Sequence, residues 1–462
     1  MALVAAKCTE CGGTVQIDSE KKAAVCEHCG NAFIVEDAIN NFNTNYFNTM
    51  NISDSAVNII YNKADSGFEI VAGVLKKYIG ADTDIAIPDT VKIIDRHTFE
   101  GYATLTTVTM PDSVTSIGNY AFNRCTNLTS VSMSNSVKEI GQGAFCNCAS
   151  LKSINMPEGI ELIGDEAFSG CTSLESVNLP NSVHTIYSNA FSGCTGLVSI
   201  NMPEGIEVIS ASTFRGCTSL ESVNLPNSVH TIYSNAFSGC TSLATIDLSD
   251  HVEHLCIEES AFDGCTGLKS VNLPNSAHTI EKYAFSNCTG LTSISLNASS
   301  DYSGNGIFAN CTGLTSLNIP AGKCNGFRIG DSMFSGCTGL KSVSIPDKTD
   351  IGNHAFSYCT GLTSIDIHND VRMGYYAFSY CTGLKSVSIP DKTYIDNCAF
   401  HGCTQLANVN VSRNFFSEGD QTPLRAFGST PFKEAWCERY RLCSNCGRKL
   451  SFGGKCKCRV KR

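Results

Sequence analysis

The sequence has few charges, a single tryptophan and no long apolar run. Charged residues make up 16% of the 462 residues, and tryptophan occurs once. No stretch approaches the roughly 20 consecutive apolar residues of a transmembrane helix, so we expect no membrane insertion. The opening letters MALVAAKCTECGG also lack the apolar core of a signal peptide. We therefore expect a cytoplasmic protein in a reducing compartment.

A strong excess of basic charge is also lacking, because the formal net charge is −10. This balance gives no nucleic-acid signature for the chain as a whole. The length exceeds that of a typical single core, so the chain must hold several domains or one elongated array. The 39 glycines and the many Ser, Thr and Asn residues favour an array of short strands joined by tight turns.

Cysteine, by contrast, is abundant, with 26 residues. In a reducing compartment these side chains are expected to be thiols or metal ligands and not disulfides. Eight lie in two terminal clusters, and thirteen form a ladder with steps of 22 to 26 residues. The ladder comprises Cys125, Cys148, Cys171, Cys194, Cys217, Cys240, Cys265, Cys288, Cys311, Cys337, Cys359, Cys381 and Cys403.

The ladder follows a repeated unit, C-x-x-L-x-x-V-x-L-P-x-x-V-x-x-I-x-x-x-A-F-x-x, and one stretch of 25 letters occurs twice without change, at 171–195 and 217–241. Self-similarity at this period is typical of a solenoid, in which each unit covers its apolar residues with those of its neighbours. We therefore predict a β-rich solenoid of about 14 units of 22–26 residues. Its units are marked by Phe99, Phe122, Phe145, Phe168, Phe191, Phe214, Phe237, Phe262, Phe285, Phe308, Phe334, Phe356, Phe378 and Phe400.

Three interpretations of the ladder cysteines compete: catalytic thiols, disulfide halves and small core residues. A catalytic thiol needs one special place with a paired base, whereas this cysteine recurs thirteen times with no histidine at a fixed offset. Disulfides between neighbours are disfavoured because thirteen is odd and pairing would break the equivalence of the units. We predict a structural ladder of buried thiols that donate weakly to backbone carbonyls, no catalytic residue and no enzymatic activity.

The terminal cysteines have the spacing of zinc ligands. Two C-x2-C motifs near the N-terminus suit a closed tetrahedral site of four thiolates, and the C-terminal set has one C-x2-C and one C-x-C. Cys437 is an alternative ligand in place of Cys456 or Cys458. We predict two structural Zn²⁺ sites, held by Cys8, Cys11, Cys26 and Cys29, and by Cys443, Cys446, Cys456 and Cys458.

The C-terminal end is basic, with nine Lys or Arg and no acidic residue between positions 439 and 462. Such a segment is a candidate for phosphate contacts in nucleic acid, through Arg448, Lys449, Lys455 and Lys457. Docking on the acidic remainder of the chain, or a solvated tail, explains the same charges. Nucleic-acid binding is therefore an alternative and not the leading hypothesis.

The unit C..L..V.LP..V..I...AF resembles the BspA-like class of leucine-rich repeats, over about residues 85–411. The flanks FEIVAGVLKKYIG and STPFKEAWCERYRLCSNCG, with CTECGG and CEHCG, resemble bacterial cytoplasmic members that carry a zinc ribbon at each end. The resemblance implies a leucine-rich-repeat solenoid with a parallel sheet, flanked by two small zinc-ribbon modules. It also implies a binding or scaffold role and supplies no particular partner.

These observations predict six segments and one leading function. The segments are a zinc ribbon (1–36), an Asn-rich linker (37–66), a capping hairpin (67–84), the solenoid (85–411), a C-terminal cap or linker (412–436) and a basic zinc ribbon (437–462). The leading function is a non-catalytic scaffold that binds protein partners. The alternatives are a cell-surface adhesin, as other proteins of the resembled class are, and nucleic-acid binding through the basic ribbon.

The predicted binding surface is a polar strand face. Side chains such as Glu175, Ser176 and Asn178 lie between the apolar positions of a strand and should point outward. The face is nearly uniform and almost lacks the aromatic and arginine anchors that dominate tight protein interfaces. Aromatic side chains instead occur at the less regular edges, at Tyr187, Tyr233, Tyr283, Tyr375 and Tyr376.

Overall fold

The structure, a computed structural model, describes residues 67–248, 255–273, 277–297, 302, 304–321, 326–390, 392–411 and 425–439, together with four strands within residues 3–34. The chain divides into two units, 1–72 and 73–462. The first contains Leu3–Lys7, Thr14–Asp18, Ala23–Val25, Ala32–Ile34 and Phe68–Val71. The first two of these strands pair antiparallel, and so do the next two.

The second unit is a β-solenoid in which most turns contribute one strand to each of two rows of parallel strands, face A and face B. Among the described residues between 281 and 327, no strand lies on face B. Face A comprises Asp84–Ala86, Thr107–Thr109, Ser130–Ser132, Ser153–Asn155, Ser176–Asn178, Ser199–Asn201, Ser222–Asn224, Thr245–Asp247, Ser270–Asn272, Ser293–Ser295, Ser316–Asn318, Ser342–Ile345, Ser364–Ile367, Ser386–Ile389 and Asn408–Val411. Face B comprises Val74–Tyr78, Ile93–Ile94, Ser116–Ile117, Glu139–Ile140, Leu162–Ile163, Thr185–Ile186, Val208–Ile209, Thr231–Ile232, Leu255–Ile257, Ala277–Ile280, Arg328–Ile329, Asp350–Ile351, Arg372–Met373 and Tyr394–Ile395. The parallel pairing and the roughly 14 turns confirm the predicted solenoid.

The alternation of apolar and polar residues produces these short strands. In Ser176–Asn178 the central Val177 is buried and its two neighbours are exposed, as expected for a period of two. Pro180 then ends the strand, because it cannot donate to the ladder. Its carbonyl accepts the Val183 amide at 3.1 Å, which closes a tight turn between face A and face B.

A column of phenylalanine rings fills the core on the third side of each turn. Fifteen buried rings, from Phe99 to Phe427, stack with centroid distances of 4.9 to 5.7 Å and interplanar angles of 1 to 16°. Each buried ring contributes about 1.5–3 kcal/mol through loss of apolar surface from water. The column therefore links each unit to the next through apolar burial.

Aromatic side chains close the column at both ends. Tyr78 packs against Phe99 at 5.6 Å with a tilt of 39°, and Phe432 meets Phe427 edge-on at 5.1 Å. The helix that carries Phe432, Pro431–Arg439, is named α1 here. Thr430 caps α1, because its Oγ1 accepts the Lys433 amide at 3.2 Å. Non-parallel rings and a helix thus replace the next solenoid turn.

The last units are one residue shorter at the corner between face A and face B. In the 22-residue units this corner contains a left-handed residue: Lys348 (φ 59°), Asp370 (φ 60°) and Lys392 (φ 66°). Thr349 then occupies the buried place held by Val183 in a longer unit, and its Oγ1 donates to the Pro346 carbonyl at 2.8 Å. The left-handed residue absorbs the deletion without disturbing the core.

Two predicted segment boundaries fall inside elements. The strand Asp84–Ala86 crosses the boundary between 84 and 85, and α1 crosses that between 436 and 437. The six-segment division otherwise stays a prediction. Among the described residues, no helix combines the length and the apolar character needed to cross a lipid bilayer.

Candidate interaction surface

The thirteen ladder cysteines lie in the core, one in each successive unit. Each is fully buried, and each Sγ donates to the carbonyl of the phenylalanine in the preceding unit at 3.1 to 3.3 Å. The Phe122 carbonyl, for example, accepts both the Cys125 amide and the Cys148 thiol. The thiol thereby satisfies a second lone pair on a buried carbonyl, which explains why a small sulfur donor suits this position.

Burial also suppresses the reactivity of these thiols. Desolvation raises the pKa of Cys125, Cys171, Cys217, Cys265 and Cys311 to about 12. The nucleophilic and metal-binding form of cysteine is the thiolate, which such a pKa disfavours at neutral pH. The ladder is therefore built for packing and not for chemistry.

The eight predicted zinc ligands lie outside the described residues, as do Arg448, Lys449, Lys455 and Lys457. Cys437, the alternative ligand, is described and is buried in α1. In the part of the chain that the structure describes, no group of three or more His, Cys, Asp or Glu side chains is arranged to hold a metal ion. The two zinc sites stay predictions.

Face A has the polar character that the sequence predicts. Its strands expose Ser and Asn columns, represented by Ser153 and Asn155 in one unit and Ser176 and Asn178 in the next. The apolar side chains between them point into the core. Face A therefore offers many weak hydrogen-bonding groups and few of the aromatic anchors that concentrate binding energy.

The side of the solenoid that carries the phenylalanines has a different surface, because each unit has two left-handed backbone positions there. One lies two residues before the phenylalanine and the other two residues after it. The second position is glycine in eight units: Gly101, Gly170, Gly193, Gly216, Gly239, Gly264, Gly336 and Gly402. Glycine suits it, because a side chain in this conformation costs roughly 1–2 kcal/mol.

Near the C-terminal end, tyrosine occupies the second position in two successive units, whereas the first position is aromatic in earlier units too, at His97, Tyr120 and Tyr283. Tyr358 (φ 59°) and Tyr380 (φ 56°) follow their phenylalanines, and His354 (φ 56°) and Tyr376 (φ 57°) precede them. Sparsely populated backbone conformations occupied by such side chains often mark functional sites. These four residues and His401 are called the tyrosine patch.

The patch consists of two stacked pairs that meet at one histidine. The Tyr358 and Tyr380 rings stack at 4.9 Å, and the His354 and Tyr376 rings stack at 5.1 Å. His401 meets Tyr380 edge-on at 5.4 Å and Tyr376 at 6.0 Å. Although packed together, Tyr358 remains 52% exposed and Tyr380 37% exposed.

Sequence reasoning found only part of this patch. The sequence predicts Tyr375 and Tyr376 at an irregular edge, but its pattern does not single out Tyr358 and Tyr380. The available signal is the change from FSGCT in the central units to FSYCT in the later ones. It becomes informative only when the left-handed φ at that position is known.

The repeat region is similar to known proteins. Residues 80–197, 138–256, 254–348 and 323–422 match the family model described as BspA type leucine-rich repeat region. A leucine-rich repeat protein from Bacteroides ovatus is 30% identical, with a TM-score of 0.61, over 78% of this chain and 90% of that chain. A search of the curated proteins finds no match.

Two further solved structures show lower structural agreement. A leucine-rich cell surface protein from Faecalibacterium prausnitzii is 26% identical over 79% of this chain and 97% of its own, with a TM-score of 0.43. The leucine-rich repeat protein of T. pallidum is 34% identical over 37% of this chain and 82% of its own, with a TM-score of 0.35.

Proposed function

Because the chain belongs to the BspA-type leucine-rich repeat family, we propose that it is a non-catalytic scaffold that binds a protein partner through the tyrosine patch. One observation carries this proposal: Tyr358 and Tyr380 stand exposed at positions where eight other units have glycine. Their presence is unfavourable for the backbone and unnecessary for the core. A contact outside the chain accounts for both facts.

The chemistry of the patch suits a protein interface. Tyrosine presents a large, rigid surface with a polar tip, and it is enriched among the residues that dominate binding energies. Stacking on a neighbouring ring further fixes each side chain before binding, which reduces the ordering cost of association. The uniform polar face A would then add contact area beside the tyrosine patch.

The test compares variants that remove similar amounts of exposed aromatic surface. Tyr358→Gly/Tyr380→Gly removes the patch pair. Tyr187→Ala/Tyr233→Ala removes two tyrosines that directly follow face-B strands and are 44% and 39% exposed. Each immobilised protein is incubated with extract of the native host, and the retained proteins are quantified by mass spectrometry. We expect a defined set of proteins to be lost with the first variant only. Equal retention by both variants would contradict a role for the patch.

We further propose that each terminal cysteine cluster binds one structural Zn²⁺ ion. The described strands support the N-terminal site, because Lys7 pairs with Thr14 and Val25 pairs with Ala32. Each C-x2-C motif therefore lies in the connection of an antiparallel hairpin, the arrangement that suits paired thiolate ligands. Bound Zn²⁺ would hold these short hairpins together, and four thiolates would leave no open coordination position.

Metal analysis tests the zinc proposal without an activity assay. We expect two zinc ions per purified chain, falling to one in Cys8→Ser/Cys11→Ser and to one in Cys443→Ser/Cys446→Ser. Comparison of Cys437→Ser, Cys456→Ser and Cys458→Ser identifies which two of these cysteines complete the C-terminal site. A native chain without bound zinc would refute both sites.

A cytoplasmic location is also a proposal, supported by many reduced thiols in the repeat. The Faecalibacterium prausnitzii protein is a leucine-rich cell surface protein. The competing proposal is therefore that this chain lies on the cell surface and acts as an adhesin. Fractionation of the native host with antibody detection separates the two. Recovery of the protein on intact, protease-sensitive cell surfaces would favour the adhesin.

The basic segment supports nucleic acid as a second candidate partner, because its nine cations are accompanied by no acidic residue. Neutralising Arg448, Lys449, Lys455 and Lys457 to glutamine should then abolish retention on RNA or DNA at low salt. Unchanged retention would remove this candidate.

A further inference from the structure

A cleft of about 560 Å³ lies beside the tyrosine patch, at the junction between the last solenoid unit and the start of α1. Tyr375, Asn397 and His401 line the cleft. Arg425 and Lys433 line it as well. The cleft has a size typical of a ligand site and continues directly from the aromatic surface.

The cleft has unpaired positive charge. Arg425 and Lys433 form no ion pair with any described residue. Among the described residues that line the cleft, Glu434 is the single carboxylate. Lys433 also lies in the first turn of α1, at the positive end of the helix dipole. The cleft therefore favours an anionic group.

The cleft also has an unused hydrogen-bond acceptor. Asn397 Nδ2 donates to Tyr375 Oη at 3.2 Å, but the buried Asn397 Oδ1 has no partner among the described residues. In earlier units the matching oxygens accept backbone amides: Asp331 Oδ1 accepts Asn353 N at 2.9 Å, and Asn353 Oδ1 accepts Tyr375 N at 2.8 Å. Asn397 Oδ1 thus lacks, among the described residues, the backbone amide that its predecessors accept within the array.

We propose that this cleft binds an acidic peptide segment of the protein partner. A backbone N–H of the peptide donates to Asn397 Oδ1, and its carboxylates pair with Arg425 and Lys433. A neighbouring apolar side chain packs on Tyr375 and His401. This assignment rests on the proposed scaffold function and names the chemistry of the partner that the tyrosine patch would contact.

A pair of labelled peptides provides the test. The probe is Gly-Glu-Asp-Phe-Asp-Glu-Gly, and its control replaces each carboxylate with the amide, as Gly-Gln-Asn-Phe-Asn-Gln-Gly. Fluorescence anisotropy with the full chain should give at least tenfold tighter binding of the acidic probe, weakened by salt. Arg425→Gln and Lys433→Gln should each weaken it by about tenfold. Asn397→Ala should weaken both peptides, because it removes an acceptor for the backbone.

Arg372→Gln is the matched control, since Arg372 is an exposed arginine on face B outside the cleft. Unchanged acidic-probe binding in Arg425→Gln and Lys433→Gln would overturn the proposal, and so would equal affinity for both peptides. Tighter binding of a lysine-substituted probe would point to a basic occupant and overturn it as well. Self-association that Arg425→Gln abolishes would assign the cleft to a second copy instead.

The failure of this inference is distinguishable from failure of the scaffold function. If Tyr358→Gly/Tyr380→Gly loses host proteins while Arg425→Gln/Lys433→Gln retains them and the probes do not bind, the scaffold function stands and the acidic-peptide inference falls. If the acidic probe binds but the tyrosine variant retains every host protein, the cleft is a peptide site and the patch is not the contact surface.

Discussion

The central 23-residue units and the C-terminal 22-residue units share one core and differ on their surfaces. Phe191 and Phe214 stack at 5.7 Å in the centre, and Phe378 and Phe400 stack at 5.6 Å near the C-terminal end. The thiol-to-carbonyl bond is 3.1 Å at Cys217 and 3.2 Å at Cys381. The repeating contacts are therefore insensitive to the length of the unit.

The differences lie at the corner and at the left-handed turn. Only the shorter units place Lys348, Asp370 or Lys392 in a left-handed corner, and only they carry the Tyr358 and Tyr380 pair. A solenoid can thus change its surface in a few adjacent units while its core continues. Function is expected where the surface departs from the regular unit.

The largest expected effect is alkaline unfolding, which should affect both regions because both contain buried thiols. Burial raises the pKa of Cys217 from 9.0 to about 12 and raises that of Cys381 well above 9.0. The folded state therefore holds these protons more tightly, so their contribution to stability is complete below pH 9. It is lost as the pH rises above 9, towards 12 in the case of Cys217. Each such thiol costs about 1.4 kcal/mol per pH unit in this range.

Urea titrations at several pH values measure this loss. The slope of unfolding free energy against pH gives the difference in bound protons between the unfolded and folded states. Cys217→Ala and Cys381→Ala should each reduce this difference by up to one proton. The slope is compared and not the stability itself, since each variant also loses a buried hydrogen bond. A slope unchanged in both variants would show that the thiols ionise without unfolding.

Removal of one stacked ring should cost nearly as much. Phe237→Ala in the centre and Phe378→Ala near the C-terminal end each delete a fully buried ring, and we expect a loss of about 3–5 kcal/mol in each case. Urea unfolding followed by circular dichroism gives the free energies. Values that differ by more than about 2 kcal/mol would contradict a shared core.

Much of this core could be predicted from the sequence, because it depends on spacing alone. Periodic Leu, Val, Ile, Phe and Cys positions specify which side chains face inward in every unit. Phe427 was not predicted, since it follows Phe400 by 27 residues and has Thr430 at the place of the ladder cysteine. The structure identifies it through its stacking on Phe400 at 5.2 Å.

The candidate site was less predictable, because it depends on backbone conformation and on neighbours distant in sequence. Tyr358 reads as one exposed tyrosine among several until its left-handed φ is known. The cleft joins Asn397 to Lys433 across the intervening chain, and no local pattern relates those positions. Repetition therefore predicts the scaffold, whereas departures from repetition require the three-dimensional arrangement.

Substitutions at the corner between face A and face B should give smaller changes in stability, of opposite sign in the two regions. Lys348 is exposed and left-handed, so Lys348→Gly should stabilise the fold by about 1 kcal/mol. Asn181 is exposed at the longer corner without a positive φ, so Asn181→Gly should destabilise it by about 0.5–1 kcal/mol. The same urea assay measures both, and effects of equal sign would argue against the left-handed corner as the compensation for the missing residue.

The smallest expected effect on stability belongs to the tyrosine patch. Tyr358→Gly relieves an unfavourable backbone conformation but removes a stacked ring, so the two terms should offset to within about 1 kcal/mol. Gly193→Tyr is the reciprocal variant, because it introduces a tyrosine at the matching left-handed position of a central unit. A loss above about 3 kcal/mol in Tyr358→Gly would make this tyrosine part of the fold.

The most direct test of the account is retention of host proteins by Tyr358→Gly/Tyr380→Gly, compared with the native chain at equal folded fraction. We predict at least a tenfold loss of the specifically retained proteins, with Tyr187→Ala/Tyr233→Ala unchanged. Full retention by the folded patch variant would show that the exposed tyrosines are not the contact surface, and would contradict the proposed function.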